Sequence, residues 1–227
     1  MRRYILTGAP GGGKATIAYA LAQRGYPVIG EAATDVVARE QERGVEEPWR
    51  EPGFVDAVIR LQQQRQQKAP LDGGAMQVYD RSPICTLALA RYLELPVTRE
   101  LRAEVNRVVQ SAIYQPMVFF VQRQADIEST SDGEVDPADP VTVATPASPA
   151  NPVGSATPVG PVGSATPVSP VGSADVKRFE ELHRAAYETC GYELVDVPPG
   201  AISDRVDLID EALQADDVRY SEEAWNF

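Results

Sequence analysis

Residues 4–16 read YILTGAPGGGKAT, a short apolar run that leads into a glycine-rich segment and a lysine. The spacing from Gly8 to Lys14 is G-x-x-x-x-G-K. Small residues let successive main-chain amides turn toward an anion, and the helix that follows points its positive amino end at the same place. A lysine at this position reaches the outer phosphates of a nucleotide. The stretch predicts a strand, a phosphate-binding loop and a helix, with nine binding residues: Gly8, Ala9, Pro10, Gly11, Gly12, Gly13, Lys14, Ala15 and Thr16.

Ala15 departs from this pattern, because a hydroxyl residue normally follows the lysine and binds Mg²⁺. Thr16 retains a hydroxyl, but one helical step turns the side chain by about 100°, toward the α-phosphate rather than the metal. We therefore expect ATP to bind through the amides and Lys14, and the affinity for Mg²⁺ to be weakened. Mg²⁺ keeps several waters even in intact sites, so one lost ligand need not abolish its binding.

Short apolar runs alternate with helix-like spacings along the chain, which is typical of a parallel sheet covered on both faces. The predicted strands are 3–8, 26–32, 75–81, 117–122 and 192–200. One predicted helix, 53–68, carries a glutamine-rich face (LQQQRQQK) that we expect to be solvated. We divide the chain into a first core part at 1–125, an insertion at 126–174, a lid-side helix with the fifth strand and closing helix at 175–214, and a tail at 215–227.

The predicted insertion has its own composition. From Pro152 the segments PVGSATPVG, PVGSATPVS and PVGSA repeat with a nine-residue period. Such a mixture lacks the large side chains that offset the cost of ordering the backbone. We expect a disordered, low-complexity loop; a proline-rich recognition segment is the alternative, although no basic residue flanks a P-x-x-P core here.

Composition excludes several classes of protein. A formal net charge of −12 argues against nucleic acid as a partner, because phosphate backbones need clustered Lys and Arg. Two distant cysteines and a single histidine supply neither a disulfide framework nor a histidine-based zinc site. No run approaches the ~18 apolar residues of a membrane span, so we expect no membrane partner and a cytoplasmic location.

Acidic residues follow two of the predicted strands. Ligands of an open parallel sheet bind outside the carboxyl ends of its strands, where Glu31 and Asp80 fall. Asp80 could hold a metal ion through water or accept a proton from an attacking hydroxyl, and Arg81 could clamp a transferred phosphate. The alternatives remain open: Asp80 and Arg81 could cap the next helix in competition with Ser82, and Glu31 could be a solvated helix start.

Positive charge is also expected from a lid on the far side of the phosphates. Arg123 follows the fourth strand, and Lys177 and Arg178 lie on the helix after the insertion. This arrangement suits a lid that closes over phosphates. The alternative is a solvated amphipathic helix. We assign no chemistry to His183, and we interpret Cys85 and Cys190 as small packed residues.

The segments YILTGAPGGGKAT, VIGEAATDVVARE, VYDRSPICTLALARYL and RFEELHRAAYETCGYELVDVPPG occur in this order. In this arrangement the chain resembles the AAA-type ATPase domain related to nicotinamide riboside kinases, in the nucleoside- and nucleotide-kinase branch of P-loop NTPases. The resemblance implies a three-layer α/β fold with a five-stranded parallel sheet in the order 2-3-1-4-5. It also implies that 197–200 lies near the adenine, that Glu31 is the acceptor-side acid, and that residues 80–82 form the Asp/Glu-Arg-Ser motif.

Two functions follow as hypotheses. The first is an ATPase or small-molecule kinase that uses ATP and Mg²⁺, with an unidentified, nucleoside- or nucleotide-like acceptor between Glu31 and Arg81. Lys14 and Asp80 complete its catalytic set. The second is a catalytically impaired nucleotide-binding sensor or regulatory protein, which Ala15 favours. A guanine-specific GTPase is disfavoured because no Asn/Thr-Lys-x-Asp element follows a strand.

Overall fold

The computed structural model describes residues 1–69, 76–123 and 175–224. Five strands form one sheet: β1 (Arg2–Thr7), β2 (Val28–Ile29), β3 (Met76–Asp80), β4 (Met117–Val121) and β5 (Glu193–Val197). Seven α-helices accompany them within these ranges: α1 (Lys14–Gln23), α2 (Ala32–Glu42), α3 (Phe54–Lys68), α4 (Pro83–Tyr92), α5 (Arg99–Gln110), α6 (Val176–Thr189) and α7 (Ile202–Ala224). The predicted insertion at 126–174 lies outside the described residues.

The sheet has the order β2-β3-β1-β4-β5, and every pairing is parallel. The predicted fold class and strand order are therefore confirmed. In the register, Leu6 of β1 lies opposite Asp80 of β3 and also opposite Phe119 of β4. The carboxyl ends of the three central strands consequently meet at one edge of the sheet, where the loop after β1 also begins.

The central strand β1 is buried on both faces. Ile5 packs into a core with residues of α2 to α6, whereas Tyr4 and Leu6 pack into a second core with α1 and α7. Alternate side chains of a strand point to opposite faces, so a continuous apolar run suits a strand that lies between two helical layers. The result is a three-layer α/β arrangement.

Two element boundaries differ from the predicted ones. Strand β2 contains only Val28 and Ile29, because Glu31 is already the residue before the first turn of α2. Helix α7 runs to Ala224, well into the segment predicted as a tail. Side chains of β1 hold the helix beyond residue 214, since the Arg2 guanidinium donates to the Asp216 carbonyl oxygen at 3.0 Å and Tyr4 bonds the Asp216 carboxylate.

No helix among residues 1–69, 76–123 and 175–224 combines the length and the apolar character needed to cross a membrane.

Candidate functional site

The loop between β1 and α1 requires glycine at both of its ends. A Cβ on Gly8 would lie 2.2 Å from the Val121 carbonyl oxygen, so a side chain there would collide with the end of β4. Gly13 is the residue before α1 and has a φ of +80°, a conformation that other residues adopt at a cost. These positions hold the loop tightly against the sheet and leave its amides at the amino end of α1, where anions bind favourably.

Lys14 opens α1 and lies inside the loop. Its side chain is buried, and its ammonium donates to the Ala9 carbonyl oxygen at 2.7 Å. Burial, reinforced by the nearby Arg81 guanidinium, lowers the pKa of Lys14 to about 8. The ammonium thus lies where a polyphosphate would need it, and a bound anion would favour its charged form.

Ala15 and Thr16 differ in their orientation. Ala15 lines the cavity beside the loop, whereas Thr16 is exposed to solvent and lies outside the described lining of that cavity. The threonine hydroxyl therefore does not replace the oxygen that Ala15 lacks. Among the described residues, no group of three or more His, Cys, Asp or Glu side chains is arranged to hold a metal ion.

Arg81 and Glu31 form an ion pair at the edge of the cavity. The Arg81 Nε atom lies 2.5 Å from the Glu31 Oε1 atom. Burial alone would raise the pKa of Glu31, but the charges of Arg81 and Lys14 hold it below its usual value. The two side chains are joined to each other and both line the cavity; an acceptor between them stays a prediction.

The backbone of Arg81 is strained. Its φ is +72°, which is uncommon for a residue with a long side chain, and its amide donates to the Leu6 carbonyl oxygen at 2.9 Å. The guanidinium lies over the Phe179 ring at 5.8 Å. Such strain is retained where the surrounding structure fixes a side chain, most often in ligand sites.

Asp80 carries the most informative atom of the site. Its Oδ1 atom is buried and has no hydrogen-bond partner among the described residues. Burial, together with the Glu31 carboxylate, raises the pKa of Asp80 to about 6. Ser82, whose hydroxyl accepts a hydrogen bond from the Ile84 amide at 3.2 Å, caps α4. The alternative that Asp80 and Arg81 merely cap that helix is therefore wrong.

A cavity of about 310 Å³ connects these groups. It begins at the loop, passes the four charged residues already described, and continues between apolar side chains and three polar ones, Thr34, Gln62 and Thr86. The described lining is Pro10, Gly11, Gly13, Lys14, Ala15, Glu31, Ala33, Thr34, Val37, Phe54, Gln62, Asp80, Arg81, Cys85, Thr86, Leu89 and Phe179. A mostly apolar pocket with a few oriented polar groups is typical of a small-molecule site.

The glutamine-rich face of α3 is one source of these polar groups. Thr86 donates to the Gln62 side-chain oxygen at 3.1 Å, and Gln66 is buried with its amide donating to Tyr114 at 3.1 Å. The prediction that this face is solvated is wrong for Gln66, whereas Gln62 is half-buried and lines the cavity. The helical spacing of Phe54, Val58 and Leu61 places Gln62 beside an apolar stripe, which is the signal that sequence reasoning missed.

The three lid candidates are placed differently. The Arg123 Nε atom lies 3.7 Å from the point where a Cβ on Gly11 would be, so Arg123 is at the phosphate loop. Lys177 is exposed, and Arg178 pairs with Glu94 at 3.0 Å. Neither lines the cavity in the described part of the chain, because the inward face of α6 at this point is formed by Phe179.

Hydrogen bonds fix α6 to the site. The Tyr187 hydroxyl lies 2.8 Å from the Ser82 hydroxyl and 2.9 Å from the Cys85 sulfur, which in turn lies 3.1 Å from the Thr7 hydroxyl. His183 is buried, with Nδ1 at 2.9 Å from the Phe179 carbonyl oxygen. Burial, followed by the charge of Arg81, lowers the pKa of His183 to about 3, so this histidine is neutral near pH 7.

Sequence reasoning also missed a buried arginine. Arg205 on α7 donates to the Gly12 carbonyl oxygen at 2.7 Å and therefore contacts the phosphate loop from behind. It occupies the face of α7 that also carries Val206, Ile209 and Leu213. A cation at an apolar position of an amphipathic helix was the available signal.

The fold and the loop together define a P-loop NTPase-like, nucleotide-binding protein. The sequence model of one family, described as an AAA domain, matches residues 3–144, and the chain belongs to that family. The match includes the phosphate loop, Glu31, Asp80 and Arg81. No curated protein sequence gives a significant match to the chain.

Proposed function

We propose that the protein transfers the γ-phosphoryl group of ATP to a hydroxyl of a small acceptor of nucleoside- or nucleotide-like size. One observation carries this proposal: Asp80 lines a cavity that begins at Lys14, and its buried Oδ1 atom has no hydrogen-bond partner among the described residues. A buried carboxylate oxygen without a partner is costly unless a ligand supplies one. Its raised pKa, about 6, suits a group that accepts a proton near neutral pH.

The residues of the cavity have separate roles in the proposed transfer. The loop amides and Lys14 neutralise the polyphosphate, and Arg123 adds charge at Gly11. The acceptor oxygen bonds to the γ-phosphorus, the bond from that phosphorus to the oxygen of the leaving ADP breaks, and the hydroxyl proton passes to Asp80. Arg81, held by Glu31, is placed to stabilise charge on the transferred group.

The residues present partly fit Mg²⁺. Ala15 offers no oxygen, whereas the Asp80 Oδ1 atom has a free lone pair that a metal-bound water could use. Bound Mg²⁺ would neutralise charge on the β- and γ-phosphates, held there mainly by the phosphates and by Asp80 through water. We also propose that the protein is related to nicotinamide riboside kinases and that it is cytoplasmic.

Asp80→Asn tests the proposal. In the presence of ATP, Mg²⁺ and a panel of nucleosides and nucleotides, we expect kcat for phosphoryl transfer to fall about 100-fold or more, because the amide cannot accept the proton. The dissociation constant for ATP, measured by calorimetry, should change little. The matched control is Asp35→Asn on α2, since Asp35 is an exposed carboxylate that pairs with Arg65. Equal transfer by Asp80→Asn and the wild type would contradict the assigned role.

The second candidate function is a nucleotide sensor, which the methyl group of Ala15 at the cavity wall favours. Ala15→Thr restores the missing oxygen and separates the two functions. A kinase with a weakened metal site should turn over faster as Ala15→Thr, with a lower Mg²⁺ requirement. If both forms bind ATP but neither transfers a phosphoryl group nor hydrolyses ATP, the protein acts as a nucleotide sensor.

A further inference from the structure

Arg205 is a buried cation with an unusual pair of partners. Its Nη1 atom donates to the Gly12 carbonyl oxygen and its Nη2 atom donates to the Gln122 carbonyl oxygen, each at 2.7 Å. Only 3% of the residue is exposed. The guanidinium therefore joins the phosphate loop to the segment that follows β4, although it originates on α7.

The charge of Arg205 is not balanced by an acid in the described part of the chain. Both hydrogen bonds go to neutral carbonyl groups, and burial lowers the pKa of Arg205 without any opposing carboxylate. Arginine nevertheless stays protonated in proteins. A buried, uncompensated charge is costly, so its position needs a reason. The negative charge of a polyphosphate on the opposite side of the loop would compensate it.

Peptide geometry connects Arg205 to that anion. In a trans peptide the carbonyl and the following amide point in opposite directions. Because Arg205 holds the Gly12 carbonyl on the buried side of the loop, the Gly13 amide is directed to the other side. That side is the cavity, which Gly13 lines. A Cβ on Gly13 would lie 3.4 Å from the Arg205 Nη1 atom, so the guanidinium lies against both residues of the Gly12–Gly13 peptide.

We infer that Arg205 is a positioning residue for the polyphosphate tail: it fixes the Gly12–Gly13 peptide so that an amide faces the phosphates, and its charge strengthens the field there. This inference rests on the proposed nucleotide site, but not on the transfer reaction. Arg205 does not touch the ligand; it acts through the loop.

Three variants test the inference. Arg205→Met removes the charge and both hydrogen bonds, and Arg205→Lys keeps the charge but cannot bridge two carbonyls with one rigid fork. The control is Arg24→Met, because Arg24 also bonds α7, through the Asp210 carboxylate at 2.7 Å and through Asp207, but on the protein surface. Binding of ATP and of inorganic tripolyphosphate is measured by calorimetry, and folding is checked by thermal unfolding.

We expect Arg205→Met to weaken both ligands about tenfold, as for a lost pair of charge-assisted hydrogen bonds. Arg205→Lys should weaken both about threefold, since it retains charge without the fork geometry. Arg24→Met should stay within about twofold of the wild type, as expected for a surface ion pair. Equal losses in ATP and tripolyphosphate locate the effect at the phosphates. A loss confined to ATP, or an equal loss in Arg24→Met, would overturn the inference.

A second measurement does not depend on the stability of Arg205→Met. Hydrogen exchange in folded Arg205→Lys should be faster for the amides of residues 8–9 and 11–14 and unchanged in β1; unchanged exchange in the loop would overturn the inference. The outcome remains separable from the proposed function. If the wild type binds ATP and Lys14→Ala does not, but both Arg205 variants bind as the wild type does, only the inference fails. If wild-type protein binds neither ligand, the nucleotide site itself is wrong.

Discussion

The two sides of the phosphate loop hold buried charge in different ways. On the cavity side, the cations Lys14 and Arg81 face the carboxylates Glu31 and Asp80, and each alters the pKa of its neighbours. On the opposite side, Arg205 bonds only neutral carbonyls among the described residues. The cavity side has pKa values near 6 and 8 and can exchange protons around neutral pH. The other side supplies a fixed charge that holds the loop.

The largest expected effect comes from breaking the balance on the cavity side. Arg81→Met leaves the Glu31 carboxylate without its partner and should lower the free energy of unfolding by about 2–3 kcal/mol. This is below the range for fully buried pairs, because the Glu31 side chain is 26% exposed. Urea denaturation measures the change.

Glu31→Gln, measured alone and together with Arg81→Met, completes a double-mutant cycle for the ion pair. If the two charges are coupled, the double variant Glu31→Gln/Arg81→Met should lose at least about 1 kcal/mol less than the sum of the single losses. Strict additivity would show that the pair does not stabilise the cavity side, and the contrast with Arg205 would then disappear.

A smaller effect concerns the pH dependence of the proposed transfer. The pKa of Asp80 is raised to about 6, so protonation below that pH removes the group that accepts the proton. We expect kcat/KM to fall about tenfold for each pH unit below 6, since one proton is taken up. Between about pH 6 and pH 8 Asp80 is mostly ionised and Lys14 is mostly charged, so kcat/KM should change little there; above about pH 8 the loss of the Lys14 charge should lower it again.

A histidine would ordinarily explain such a limb, but the chain contains only His183. Its pKa, lowered to about 3 by burial and by Arg81, lies far from this range. His183→Gln should therefore leave the acid limb at the same pH. If the acid limb moves or vanishes in His183→Gln, the titration belongs to His183 and its assignment to Asp80 is wrong.

The contrast between the two sides also marks what the sequence can predict. Gly8, Lys14, Asp80 and Arg81 are identifiable because their chemistry is tied to local spacing and to the ends of strands. Arg205 lies 193 residues from Gly12, and its role depends on how α7 packs against the loop. Side-chain pairing across elements has no local signature, so such a contact is visible only in three dimensions.

The same limit explains the other differences. The parallel sheet could be predicted because strands and helices alternate along the chain, whereas the strand order was an implication of the family resemblance. The Glu31–Arg81 contact could not, since it joins the start of α2 to the end of β3 and depends on the positive φ of Arg81. The solvated glutamine face was mispredicted for a related reason: composition indicates polarity, whereas Gln62 and Gln66 are satisfied by Thr86 and Tyr114 on other helices or loops.

The smallest expected effect is the uptake of a proton by Lys14 on the cavity side when ATP binds. Because the pKa of Lys14 is lowered to about 8, roughly half of the empty sites carry a neutral amine at pH 8. A polyphosphate favours the ammonium, so ATP binding at pH 8 should take up about half a proton. Calorimetry without Mg²⁺, in buffers of different ionisation enthalpy, measures this number.

Other titrating groups need to be separated from Lys14 in that experiment. At pH 8 Asp80, with a pKa of about 6, and the triphosphate are both ionised, but an α-amino group also titrates near this pH. Lys14→Arg keeps a cation that cannot deprotonate and leaves every other group in place. Uptake in the wild type that vanishes in Lys14→Arg assigns the proton to Lys14. Equal uptake in the wild type and in Lys14→Arg would mean that another group takes up the proton. Lys14 would then hold a charge that does not titrate near pH 8, as Arg205 does.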